Sequence, residues 1–307
     1  MKTQALTVKP VNPIYGFLHQ TIDEALEQLA PTQPIVDENI HNARKLMKKS
    51  RAELRLLRPG MRDAVYRKEN TQLRDAGRVL SPIRDARSLV DALDSICEQF
   101  DKELEGVKLA PLEKKLHSNL AVARRNLHLK TPAKSEELQS CSRLLEKCLS
   151  LAKKEHFAAI DSRVAHAGLK RIYRQGQDAF VEARTERTTE ALHEFRKQIK
   201  YLFNAIDDLT VADSDRNSKV LKRADRLGEL LGNDHELVTL SQETSKKNYS
   251  SMNAAVKALH ALIEQKRIEL QNDALKLGEK IYHQKPRKFA EKVLRDAVLP
   301  SPVRDAR

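Results

Sequence analysis

The chain has no tryptophan, and its seven phenylalanines and six tyrosines supply only 4% of 307 residues. So few rings leave little flat surface on which unstacked bases could rest, which counts against a single-strand nucleic-acid binder. Nine glycines and eleven prolines are few for this length, and argue against sheets joined by many tight turns. The three cysteines, Cys97, Cys141 and Cys148, follow no metal-ligand spacing and suit a reducing interior as packing residues. No stretch approaches the roughly 18 apolar residues of a membrane-spanning helix. The opening MKTQALTVKPVNPIYGFL has no hydrophobic segment of signal-peptide length. A soluble, cytoplasmic protein without membrane insertion is expected. Gly-rich phosphate loops, paired-carboxylate metal sites and His-Asp metal constellations are also missing, so no enzyme, metal or cofactor is expected.

What is present is charge. Asp, Glu, Lys and Arg make up 32% of the chain, with a net charge of +13 and a pI near 9.6. The mixture of Ala, Leu, Lys, Glu and Arg reads as an all-α protein of long helices. The cationic surplus favours polyanionic partners such as nucleic acid, an anionic membrane surface or a phosphate polymer, without choosing among them.

Breakers divide the chain into helical segments. A first helix spans about 14–30 and ends at PTQP. A second opens at Asp37 as N-cap and stops at Arg58–Gly60. A third runs to about Val79, interrupted by Ser81–Pro82, and a fourth covers about 84–105. A fifth covers 112–129, and Thr131–Pro132 forms an N-cap and first-turn pair. The pattern then continues to Gly168 and Gly176, with a kink or short break expected inside it. A further helix starts near Thr188 or Thr189, Thr210–Asn217 is a loop, and another helix covers Lys219–Leu231. Gly232–Asp234 breaks that helix, and two more segments reach about Tyr282. Residues 286–307 read as a basic tail, where SPVRDAR echoes SPIRDAR at Ser81–Arg87.

One constellation occurs twice. IHNARKLMKKSRAEL, from Ile40, and LHEFRKQIKYLFNAI, from Leu192, carry His, Arg, Lys and Lys at the same offsets. These are His41, Arg44, Lys45 and Lys48 in one copy, and His193, Arg196, Lys197 and Lys200 in the other. At about 100° per residue, Arg44, Lys45, Lys48 and Arg55 stay within roughly 60° of His41, with Arg51 just outside. Ile40, Ala43, Met47, Leu54 and Leu57 gather opposite, as do Leu192, Phe195, Ile199, Leu202 and Ile206 in the second copy. Each helix thus packs by an apolar face and presents a cationic ridge. Like charges at i,i+4 cost a few tenths of a kcal/mol per pair, and no carboxylate stands within the stripes to cancel them. An external anion is the alternative, because Arg offers a planar fork to phosphate oxygens, Lys a point charge and His a further donor. The flanking segments also align: LRDAGRVLSPIRDARSLVDAL from Leu73 lies against LKRADRLGELLGNDHELVTL from Leu221. Internal duplication accounts for both matches.

These residues resemble the CHAD domain family, the conserved histidine α-helical domain. The resemblance rests on IHNARKLMKKSR and LHEFRKQIKYLF, on the corners LSPIRD (Leu80–Asp85) and LGELLGND (Leu227–Asp234), and on GLKRIYRQG (Gly168–Gly176). It covers about 13–285, divided into halves of about 13–150 and 151–285. It implies two four-helix bundles related by a pseudo-twofold axis, with a basic central groove or channel between or along them. It further implies binding of inorganic polyphosphate and association with polyphosphate granules. The Glu-x-Glu-x-Lys motif of a fused triphosphate tunnel domain is missing, which suits a stand-alone member. Pro82 at the first corner and Phe203 in the place of Arg51 depart from the pattern. Carried onto this chain, the phosphate contacts are His41, Arg44, Lys45, Lys48, Arg51 and Arg55, with His193, Arg196, Lys197 and Lys200. Arg78, Arg84, Arg171, Arg174, Lys222, Arg223 and Arg226 are candidates from neighbouring helices. Asp85 and Asp234 are read as orienting arginines or capping helices. Nucleic acid or an acidic protein using the same surface is the alternative partner, and no particular protein partner is indicated.

Overall fold

A computed structural model describes residues 13–30, 32, 34–154, 162–210 and 217–295, with side chains described from residue 18 onward and not for 151–154. Among these residues every regular element is helical: α1 (Pro13–Glu27), α2 (Asp37–Leu57), α3 (Asp63–Val79), α4 (Ser81–Gln99), α5 (Ala110–Asn126), α6 (Glu136–Lys154), α7 (Ser162–Glu186), α8 (Thr189–Leu209), α9 (Ser218–Thr244), α10 (Asn253–Tyr282) and α11 (Pro286–Leu294), with short 3-10 turns between some of them. No helix among the described residues is long and apolar enough to cross a membrane.

The helices close into two rings. In the first, α1 packs on α2, α2 on α3, α3 on α6 and α6 on α1, while α4 leaves the ring to pair with α5. In the second, α7 packs on α8, α8 on α9, α9 on α10 and α10 on α7. The rings meet where α2 lies against α8 and α7, and where α4 lies against α9. The two helices carrying the repeated cations are therefore direct neighbours.

The apolar stripes explain this packing. Ile40, Ala43, Met47, Leu54 and Leu57 of α2 are buried, as are Leu192, Phe195, Ile199, Leu202 and Ile206 of α8. Each of these side chains larger than alanine contributes about 1.5–3 kcal/mol when it leaves water. Five of the few aromatic rings gather in and against the second ring. Phe180, Phe195 and Tyr282 lie within 6.1 Å of one another, and Tyr173 stacks on Phe289 at 3.9 Å. Gly168 brings α7 close to the end of α2, since a Cβ there would lie 2.0 Å from the Leu56 carbonyl oxygen.

Several local expectations need correction. Asp37 is not the N-cap of α2: Val36 holds that place, its amide donating to Asn39 Oδ1, while Asp37 pairs with Arg124 of α5. Ser135, not Thr131, caps α6, its hydroxyl accepting from the Leu138 amide. Thr188 does cap α8, accepting from the Ala191 amide. Gly232–Asp234 does not break a helix, because α9 runs through it with Gly232 and Asp234 buried against neighbouring side chains. Gly168 and Gly176 lie inside α7 as close-packing positions, Gly176 beneath the Tyr282 ring. The expected break before α7 and most of the 210–217 loop lie outside the described residues, as does the SPVRDAR echo. Residues 286–294, read as the start of a tail, form α11, whose Phe289, Ala290 and Val293 are buried.

Candidate anion-binding site

The N-terminal part of the α2 stripe meets residues of α4, α8 and α9. Lys48 is at the centre. Its side chain remains accessible to solvent, yet protein surrounds it on most sides. That burial pushes its ammonium down to about 7, with repulsion from Arg44, Arg196 and Arg84 adding to it and Asp85 opposing it. Charges from α2, α4 and α8 therefore act on a single ammonium. Among the described residues no carboxylate lies within ion-pair reach of Lys45 or Lys48.

Arg44 is already engaged. Its guanidinium donates to the Gly77 carbonyl at the end of α3 and to Ser81 Oγ at 2.8 Å, clasping the joint between α3 and α4. Burial lowers its pKa, and its Nε has no acceptor. His41 is exposed; partial burial, then Arg84, Lys48 and Lys45, hold its pKa below the usual imidazole value. A cavity of about 100 Å³ opens beside His41 and Arg84, with Asp37, Arg87 and Asp91 on its other walls.

Arg196 of α8 is the opposite case. Among the described residues no acceptor lies within hydrogen-bond reach of its guanidinium, and its buried Nε is unpaired. Burial lowers its pKa, and Glu236 favours the charge only from beyond ion-pair distance. Its head lies 3.5 Å from where a Cβ at Gly232 would be, and Lys200 likewise lies over Gly228. Two glycines one turn apart on α9 thus make room for two α8 cations. His193 faces His235 of α9 with ring centroids 4.5 Å apart. Burial, then Arg196, lowers the His193 pKa, while burial, then His193 and Arg196, brings His235 to about 4.

Carboxylates reach the second stripe from beside it. Glu194 pairs with Lys197 one turn away, and Asp225 of α9 lies 3.6 Å from Lys200. Arg84 of α4 bonds Glu236 of α9 at 2.6 Å, an ion pair tying α4 to the second ring. The first stripe is not one continuous ridge. Arg51 Nε and Arg55 Nη1 both donate to Asn70 Oδ1, at 3.0 and 3.2 Å, and the Arg55 guanidinium lies 3.9 Å above the Tyr201 ring of α8. These two cations fasten α2 to α3 and α8.

The flanking candidates disperse. Arg171 donates to the Arg55 carbonyl at 3.0 Å and is lowered by burial, a helix-to-helix contact. Arg174 and Lys222 are exposed. Arg78 pairs with Asp75 at 3.4 Å and Arg226 with Glu229 at 3.1 Å. Arg223 lines a separate cavity beside α10 and α11. Asp234 accepts from Arg267 at 3.1 Å and Gln271 at 2.9 Å, so it orients an arginine of α10. Sequence reasoning missed His235 and Glu236, which had no counterpart in the first copy to draw attention to them. Among the described residues no three His, Cys, Asp or Glu side chains converge as a metal site.

The sequence matches the pattern of the CHAD domain family over residues 20–245. Among solved structures, PptA from Streptomyces chartreusis is similar, with a TM-score of 0.60 and 14% sequence identity, covering 89% of this chain and 98% of that one. At that identity the likeness shows the helical fold. No curated protein sequence matches the chain.

Proposed function

Because the chain belongs to the CHAD domain family, we propose that it binds inorganic polyphosphate in a basic groove where α2 and α8 meet. The two rings are two bundles produced by duplication, and each supplies one copy of the His-Arg-Lys-Lys set. His41, Lys45 and Lys48 from one copy, Arg196 and His193 from the other, and Arg84 between them are the principal contacts. Arg44 serves mainly to hold the α3–α4 joint.

The observation that carries this reading is Arg196. Its buried Nε has no acceptor, and a buried donor left unsatisfied costs about 1–3 kcal/mol, to which the surrounding cations add. A chain of phosphates supplies both the missing acceptors and the missing negative charge. The role is binding rather than catalysis, in a cytoplasmic protein associated with polyphosphate granules.

Affinity for long-chain polyphosphate should fall steeply with salt as condensed counterions are released. Competition with RNA at equal charge separates this reading from nucleic-acid binding, and the scarcity of exposed rings favours polyphosphate. The double reversal Lys45→Glu with Arg196→Glu should abolish binding while helicity persists. A folded double variant that binds as the wild type does would overturn the proposal.

A further inference from the structure

A second basic cavity lies at the far end of α9, formed with the end of α10 and with α11. It measures about 300 Å³ and is rimmed by Lys219 and Arg223 of α9, Lys280 of α10 and Lys292 of α11. Among the described residues no Asp or Glu lines it, and none pairs with these four cations. Its floor is apolar, made by Val220, Ile281 and Val293. At about 100° per residue, Arg223 lies roughly 140–180° around α9 from Gly228 and Gly232, which face Lys200 and Arg196, so this cavity opens on the other side of the helix from the α2–α8 site.

The helix ends reinforce its positive character. Asn217 makes no side-chain cap on α9; its amide donates instead to Thr210 Oγ1 at 3.2 Å and to the Val293 carbonyl. The first amides of this 27-residue helix are left as donors beside the cavity, at the positive pole of the helix. The negative pole of α10 arrives at the same place, but its carbonyls are occupied. Tyr173 Oη donates to Ile281, Gln177 Nε2 to Tyr282 and His283 Nδ1 to Lys280.

We infer that this cavity binds a small molecule carrying a di- or triphosphate group. Four cations around one small cavity suit two or three adjacent phosphates, whereas the groove suits a chain passing through. A cavity of this size is at the small end for organic ligands. Its apolar floor can lie under an attached organic moiety, so a nucleotide and a free oligophosphate are the two sources of the same chemistry.

Calorimetric titration of the full chain with ATP and with inorganic tripolyphosphate tests the inference. Lys280 and Lys292 are exposed, so Lys280→Gln with Lys292→Gln leaves packing intact. This double variant should lose one class of site, with affinity there down about tenfold or more, and should bind long-chain polyphosphate as the wild type does. Arg196→Met should leave that class in place. ATP binding more tightly than tripolyphosphate at the lost site assigns the organic source, and the reverse order assigns the inorganic one. ATP and tripolyphosphate isotherms both unchanged in the double variant would refute the second site. Failure of the groove reading shows elsewhere, as long-chain binding indifferent to Arg196.

Discussion

If Lys48 is largely uncharged alone but charged beside a bound phosphate chain, binding must take up a proton. Burial holds the free ammonium at about 7, so at about pH 8 only around a tenth of molecules carry the charge. Phosphate oxygens favour the charged form, and a bound chain moves the pKa back toward the ordinary lysine value. The uptake at about pH 8 is then well over half a proton per bound site. Below about pH 6 Lys48 is charged in both states and adds no further pH dependence, any remaining rise in affinity there coming from protonation of His41 and His193. Above about pH 7 affinity should fall by up to about tenfold per pH unit until the bound-state pKa is reached. Calorimetry of polyphosphate binding at about pH 8, in buffers of different ionisation enthalpy, measures the uptake directly. His41, His193 and His235 all have lowered pKa values and are neutral in the free protein at that pH. Lys48→Met should remove the uptake. An uptake near zero in the wild type, or one unchanged in Lys48→Met, would refute the placement of Lys48 against the ligand.

Arg196→Met removes a half-buried cation whose Nε has no acceptor, and should raise unfolding stability by about 1 kcal/mol in urea while weakening polyphosphate binding. Gly168→Ala would drive a Cβ into the Leu56 carbonyl; a loss of about 3 kcal/mol or failure to fold is expected. Gly228→Ala meets only the movable end of Lys200, so thermal unfolding should show little loss, or a gain approaching about 1 kcal/mol from helix propensity. Glu53 is buried between Thr21, which donates to it at 2.9 Å, and the Lys49–Asp208 pair. Burial, then Asp208, raises its pKa. A raised carboxylate opposes folding increasingly as pH climbs from its unfolded value through its folded one. Glu53→Gln should therefore stabilise the protein more at about pH 8 than at about pH 5, as equilibrium unfolding at both pH values would show.

The helices and the paired cationic stripes were legible because both depend on spacing within one segment. Ile40, Met47 and Leu54, or Phe195, Ile199 and Leu202, declare an apolar face without reference to the rest of the chain. Which charges remain available was not legible, since their partners arrive from elsewhere: Gly77 for Arg44, Asn70 for Arg51 and Arg55, Asp225 for Lys200. Glu194 was within reach of the sequence, standing three residues before Lys197, but falls just off the stripe. Gly232 looked like a breaker because its local preference favours a turn. Its neighbourhood explains the opposite outcome: α9 is buried there, and the missing side chain gives Arg196 space. Asp37 likewise has the chemistry of a cap, but a guanidinium from α5 claimed it.

The family pattern stops at residue 245, whereas the second ring does not close until α10 has turned back along α9. Leu259, Ile263, Ala274 and Ile281 supply its fourth wall, and Phe289 seals the Tyr173 ring from outside. A fragment trimmed to the shared motif would keep every cation of the α2–α8 site and yet present Phe180 and Phe195 to water. The stretch matched by the family pattern and the length this polypeptide requires to stand upright are thus different. Fragments intended to isolate the anion site must extend at least through α11.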